Sequence, residues 1–254
     1  MATEQLLCQS NVSICLERDG IMKLHDPELE QRVIATLKWL NAMIIDDHIV
    51  SSPRLHENSY VNRDAIYSHP IQTSSLCMEI AKKFMGDNVW VVIGHGTDGS
   101  ILAQWTAFHL SELTKHQVLA MHTEKIDQDL FIPGLDYDKL IRNKQVLVVE
   151  DILSDGRNIV RTVVEAVRRR GGHVIGAAAL VNSGGITAAD IGDVPELVSL
   201  ANVKLSSAHW PESECPLCKQ GIPVNPHVGK GREFLERRGL NALTSRKEPV
   251  SDAG

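Results

Sequence analysis

Twice along this chain a short apolar run leads through a loop rich in glycines or acids into a helix-forming segment. The first unit passes from residues 89–93 through Gly94-His95-Gly96-Thr97-Asp98-Gly99 into a helix over about 100–113. The second passes from residues 145–149 through EDILSDGRN into a helix reaching Arg170, where Gly171 and Gly172 stop it. The strand that follows, residues 173–181, is apolar almost throughout, the pattern of a strand covered on both faces. Strand, crossover helix and strand in alternation predict an α/β fold on a mainly parallel sheet.

The flanks read differently. DPELEQRVIATLKWLNAMII predicts one helix: Asp26 caps it, Pro27 fits its first turn, and Leu29, Val33, Leu37, Leu40 and Ile44 recur at helical spacing. A polar stretch with β-prone pieces around Ile49 and Tyr60 comes next, then an amphipathic run through Leu76, Ile80 and Phe84 that ends near Gly86. Between the two central units lie a strand over 118–121 and a polar excursion. The last seventy or so residues are looser, with Pro195, Pro211, Pro216, Pro223 and Pro226, and the tail RKEPVSDAG reads as frayed. The expected divisions are an N-terminal helical and hood region (1–86), an α/β core (87–208) and a C-terminal segment (209–254).

At 254 residues the chain suits one large domain with modest additions. Its 43% hydrophobic and 23% charged residues exclude a disordered or fibrous chain. A net charge of −6 argues against nucleic acid as a partner, while leaving room for a local anion pocket. The longest apolar run, residues 174–181, falls far short of the roughly 20 residues a spanning helix needs, so no membrane is expected. The opening MATEQLLCQSNVSIC lacks a basic and apolar leader, which makes the cytoplasm the expected compartment. Cys8, Cys15, Cys77, Cys215 and Cys218 are an odd, scattered set, read as thiols rather than a disulfide framework.

The glycine loop matches G-x-G-x-x-G between a strand and a helix, the context of a dinucleotide fingerprint, and Glu124 follows the next strand as an acid for a ribose hydroxyl. Against this, glycines there often serve only a tight turn, and Asp98 stands where it would repel a pyrophosphate. The second loop carries more. Two acids, Glu150 and Asp151, at the end of a buried strand are costly unless they bind something. The following helix offers free N–H groups and the positive end of its dipole, Gly156 permits close approach, and Arg157 adds charge-assisted bonds. A phosphate held beside carboxylates that accept from sugar hydroxyls is the layout for a phosphorylated ribose. The plainer alternative is a helix capped by Ser154 or Asp155 with solvated acids.

VLVVEDILSDGRN resembles the thirteen-residue phosphoribosyl pyrophosphate (PRPP) signature of the type I phosphoribosyltransferases. DDHIVSSPRLHENSYV is similar to the N-terminal substrate region of the orotate phosphoribosyltransferases, and VVIGHGTDGSILA lies where that family has its pyrophosphate loop. HTEK precedes the signature as in bacterial members, ALVNSGG resembles a downstream tract, and ECPLCKQGIPV is similar to the ending of one bacterial subgroup. The resemblance spans roughly residues 47–224 in order.

It implies the type I phosphoribosyltransferase fold, a parallel-sheet core with a small hood over the substrate. The implied reaction is pentosyl transfer: phosphoribose passes from PRPP to a nucleobase, orotate or a similar acceptor, and pyrophosphate leaves with Mg²⁺ carried on the PRPP. Glu150 and Asp151 would hold the ribose hydroxyls and favour positive charge at the anomeric carbon. Ser154, Asp155, Gly156, Arg157 and Asn158 would surround the 5′-phosphate. Gly94, His95, Gly96, Thr97, Asp98, Gly99 and Ser100 would meet the pyrophosphate, with Lys125 as a cation from the excursion, although Lys125 also reads as a solvated surface lysine. Arg54, Tyr60 and Asn182 would contact the base, and the resemblance implies a homodimer.

The chain also departs from the pattern. Asp155 and Arg157 interrupt a phosphate loop that the family writes threonine-glycine-glycine-threonine or serine. A carboxylate about 5 Å from a phosphate charge costs on the order of 3 kcal/mol at an effective dielectric near 20, which Arg157 could offset. Val181-Asn182-Ser183 lacks the family's arginine for the orotate carboxylate, and Ser51 or Ser52 replaces a lysine, with Arg54 as a substitute. These departures keep open a PRPP-binding homologue with impaired chemistry, beside the NAD-dependent enzyme that the glycine loop alone would suggest. Cys215 and Cys218 form a C-x-x-C with His209 or His227 as conceivable further ligands, but no second such pair completes a four-ligand site, so the expectation is a packed turn and no protein-held metal.

Overall fold

A computed structural model describes residues 26–52, 54–126, 129–131, 137–154, 159–205 and 209–239. The elements run α1 (Pro27–Trp39), β1 (Met43–Ser52), β2 (Leu55–Val61), α2 (Arg63–Tyr67), α3 (Pro70–Phe84), β3 (Val91–His95), α4 (Gly96–Thr114), β4 (Leu119–Ile126) and β5 (Asp129–Phe131). They continue through α5 (Tyr137–Ile141), β6 (Gln145–Leu153), α6 (Ile159–Arg169), β7 (His173–Asn182), β8 (Leu197–Asn202), β9 (Trp210–Pro211), α7 (Pro216–Lys219) and α8 (Gly231–Arg237).

The large sheet has the order β5-β4-β3-β6-β7-β8, in which all strands but the antiparallel edge β5 run parallel. Side chains alternate between its faces as the two-residue period of a strand requires. Val92, Leu147, Val149, Ala178 and Leu180 join the core beneath α1, α3 and α4, while Val91, Ile93, Val146, Val148, Ala177 and Ala179 join the core beneath α6. Helices on both faces explain why these strands read as continuous apolar runs. From β3 the chain winds through α4 to β4, and from the adjacent β6 it winds the other way through α6 to β7. The loops at the carboxyl ends of β3 and β6 therefore diverge, which makes this the switch point where open α/β sheets bind ligands.

The small sheet, β1-β2-β9, joins an early hairpin to a late strand: His56 of β2 pairs with Trp210. The C-terminal segment thus closes over the N-terminal hairpin.

Several boundaries differ from the sequence expectation. The first helix is capped by Asp26, which accepts from the Glu28 and Leu29 N–H groups, but it stops at Trp39. Asn41 has φ 52°, the left-handed turn that ends helices, and Ile44 is already in a strand. Helix α4 begins at Gly96, so the glycine loop is largely its first turn. Strand β4 runs to Ile126 and pairs with β5, which puts the backbone of Lys125 in a hairpin rather than a free excursion. Strand β6 extends through Glu150 and Asp151 to Leu153, and α2, α7 and α8 arise where loops were expected. Cys215 and Cys218 pack against His48 and His56 rather than beside His209, which pairs with Glu57 at 3.1 Å, or the exposed His227.

Candidate active site at the carboxyl ends of β3 and β6

The two loops that stood out in the sequence meet here. Gly94 pairs with Val149 across the β3–β6 register, so Glu150 and Asp151 follow directly where β3 gives way to the glycine turn. That turn needs its glycines: a Cβ on Gly94 would lie 2.1 Å from the Gly99 carbonyl oxygen, and Gly96 sits at φ +62°.

Glu150 is 7% and Asp151 2% exposed, a burial that no pair of carboxylates tolerates without donors. Asp151 Oδ1 accepts from the Ile152 N–H at 2.7 Å, and its Oδ2 accepts from the Tyr67 hydroxyl at 3.1 Å. Arg63 Nε lies 3.8 Å from the same Oδ2, while Arg63 Nη1 reaches Asp98 Oδ2 at 2.9 Å. One guanidinium therefore bridges the end of β6 and the first turn of α4. Glu150 accepts from the Asp151 N–H at 3.1 Å. Burial first, then the neighbouring Asp151, pushes the Glu150 carboxyl well above the usual range. Burial also raises Asp98, against the pull of Arg63, and keeps Tyr67 a protonated donor.

Arg63 and Tyr67 were not anticipated. They stand on α2, whose five residues are too few to show a periodicity, but the four-residue spacing of an arginine and a tyrosine places both on one helix face and was the available signal.

The other candidates are less gathered. His95 is half-buried with Nδ1 2.9 Å from Thr123 Oγ1, Thr97 is exposed, and the Ser100 hydroxyl donates to the Thr97 carbonyl at 2.7 Å. Tyr60 is half-buried on β2, its phenol raised by burial, opposed by Arg63. Arg54 is exposed at the hairpin turn. Asn182 closes a turn of its own, its amide donating to the Ile186 carbonyl at 2.8 Å and accepting from the Ile186 N–H at 2.9 Å. Ser154, just past β6, is half-buried; Asp155, Gly156, Arg157, Asn158 and the Lys125 side chain lie outside the described residues, as does the tail. Glu124, the acid a dinucleotide site would place on a ribose, is exposed beside His122 at 3.3 Å. A cleft of about 370 Å³ lined by Asp26, Lys83, Asn182 and Ser199 lies toward the β8 edge, where Asp26 is already engaged as a helix cap.

No protein-family model matches the chain. The orotate phosphoribosyltransferase of Pelotomaculum thermopropionicum is 35% identical over 194 residues, covering 76% of this chain and 93% of that protein. That of Caldanaerobacter subterraneus is 34% identical over 180 residues, 70% of this chain and 86% of that one. Among solved structures, orotate phosphoribosyltransferase from Mycobacterium tuberculosis superposes with a TM-score of 0.55 at 18% identity, covering 69% of this chain and 96% of that chain. The enzyme from Aeropyrum pernix gives 0.52 at 22%, covering 68% and 94%. Within the type I phosphoribosyltransferase fold, the chain belongs to the orotate phosphoribosyltransferase family.

Proposed function

We propose that this chain transfers the phosphoribosyl group of PRPP to a ring nitrogen of orotate in the crevice between β3 and β6. The bond from the anomeric carbon to pyrophosphate breaks, the bond to the ring nitrogen forms, and pyrophosphate leaves. The observation that carries this reading is the buried pair Glu150 and Asp151 at the sheet's switch point, facing the glycine turn across the β3–β6 register.

The carboxylates accept hydrogen bonds from the ribose hydroxyls, and their charge favours the positive character that develops at the anomeric carbon. The free N–H groups at the start of α4 meet the pyrophosphate. Asp98, which would repel that anion, is neutralised by Arg63 at 2.9 Å, and this ion pair removes the sequence's main objection to a polyanion at the turn. Residues 154–158 take the 5′-phosphate and Lys125 adds a cation. Arg54 and Tyr60 attend the base; Asn182 would have to give up its turn with Ile186 to join them. Arg63 engages the carboxylates of both Asp98 and Asp151, so Mg²⁺ would be held by the phosphate oxygens of PRPP rather than by a protein donor set. When bound with PRPP, Mg²⁺ supplies positive charge to the departing pyrophosphate. The family resemblance supports a homodimer as the working form.

The test is a pyrophosphate-release assay with PRPP and Mg²⁺ against orotate, uracil and purine bases. Orotate should give pyrophosphate and nucleotide in equal amounts, well above any other base. PRPP binding with no release for any base would overturn transfer and leave a PRPP-binding protein.

A further inference from the structure

The C-x-x-C turn does not stand alone. Val50 of β1 pairs with His56 of β2, and His48, at the end of the irregular stretch of β1 between Ile45 and Ile49, reaches the His56 ring across the hairpin. Cys215 and Cys218, around the short helix α7, meet this pair from the other end of the chain. His48 is 1% exposed, and His56 and Cys215 are fully buried. His48 Nε2 lies 2.8 Å from His56 Nδ1 and 3.6 Å from each sulfur, and Cys218 Sγ lies 3.4 Å from His56 Nδ1. All four atoms fall within 4.8 Å of one another.

Hydrogen bonding alone cannot satisfy such a group. His48 Nδ1 is 2.7 Å from the Ile222 carbonyl, which only accepts, so Nδ1 carries the proton and the neutral ring offers a single lone pair at Nε2. The His56 ring and both thiols crowd that one lone pair. If His56 donates to it from Nδ1, neither thiol finds an acceptor there; if a thiol donates to it instead, two imidazole lone pairs face each other at 2.8 Å. One cation at the centre satisfies all four atoms together.

Zinc bonds of about 2.0–2.1 Å to nitrogen and 2.3 Å to sulfur in a tetrahedron set nitrogen and sulfur about 3.5 Å apart. Three of the four nitrogen–sulfur distances, the two from His48 Nε2 and that between His56 Nδ1 and Cys218 Sγ, are 3.4–3.6 Å. The two nitrogens, 2.8 Å apart, must separate by about 0.5 Å to admit the ion, and all four atoms already lie within 4.8 Å of one another. We propose that His48 Nε2, His56 Nδ1, Cys215 Sγ and Cys218 Sγ form a structural zinc site that clasps the Cys-Pro-Leu-Cys turn to the β1–β2 hairpin. Four protein ligands leave no open coordination position, so the ion's role is structural rather than catalytic. Paired thiolates and imidazoles in a tetrahedron select zinc over the hard ions that carboxylates hold. The Ile222 carbonyl, fixing the His48 ring through Nδ1, is the outer partner that ligating imidazoles usually have.

The full chain, produced without a polyhistidine tag in zinc-supplemented medium, should carry about one zinc per chain by elemental analysis, and below about 0.2 in Cys215→Ser/Cys218→Ser or His56→Ala. Cys77→Ala, at a buried thiol on α3, should keep the full equivalent. Cobalt exchanged into the wild-type protein should give the absorption of a tetrahedral thiolate site, which decides the matter even if the ligand variants fail to fold. Metal-free wild-type protein, a stoichiometric metal other than zinc, or a disulfide between Cys215 and Cys218 found by mass spectrometry would overturn the proposal.

Discussion

Two groups of buried polar side chains lie at opposite ends of this molecule's chemistry, and they differ in where their spare bonding capacity points. Beside the small β1-β2-β9 sheet, His48, His56, Cys215 and Cys218 aim their lone pairs at one another. At the end of β6, Glu150 and Asp151 are held on one side by Tyr67, Arg63 and their own backbone, and border the divergent loops of the switch point. An inward-facing set suits a resident ion; an acidic set beside a crevice suits a guest that arrives, reacts and leaves. Both carry a burial cost in the absence of what they hold, and only the second needs to keep that cost reversible.

Mutations that silence one group should leave the other intact. The largest effect is expected for Asp151→Ala, which should lower kcat/KM for PRPP by about 100-fold, the scale of losing one charge-stabilising group in a reaction centre. Steady-state pyrophosphate release measures it, and the zinc content of that variant should not change. Breaking the clasp with Cys215→Ser should instead lower Tm by on the order of 5 °C, equivalent to about 2 kcal/mol in a chain of this size, read by calorimetry. PRPP affinity should move far less, because no ligand of the clasp belongs to β3 or β6. Arg63→Ala should weaken PRPP binding by about 5-fold, roughly 1 kcal/mol, by leaving Asp98 unneutralised at the glycine turn. Raised affinity would mean that Arg63 instead competes with the sugar for Asp151.

The smallest effect is the pH response of Glu150→Gln. The raised carboxyl of Glu150 binds a proton more tightly in the folded state, so its contribution to stability is full at acid pH and is lost as pH rises from the ordinary carboxylate range through the raised folded value. The glutamine variant, free of ligand, should therefore gain Tm relative to wild type at neutral pH and not at acid pH. A parallel offset at every pH would remove the charge from this explanation.

The large sheet was legible because burial on both faces writes itself as apolar runs such as residues 173–181, and the crevice because glycines and acids interrupt those runs at the strand ends. Glu150 and Asp151 were found, but as loop residues: charge at the end of a strand looks like its end, whereas the backbone continues pairing to Leu153. Arg63 and Tyr67 escaped because a five-residue helix has no period to read. The clasp escaped for a different reason. Its histidines and cysteines are separated by up to 170 residues, and only the hairpin register together with the pairing of β9 on β2 brings them to one place. A spacing rule that searches for a second C-x-x-C cannot see it.

The central claim, that the end of β6 receives the sugar of PRPP, is tested most directly by titration calorimetry of PRPP with Mg²⁺ into wild-type protein and Asp151→Ala. One site per chain in the wild type, at least about ten-fold weaker in the variant, is the expected result. Equal affinity in the two proteins would contradict it.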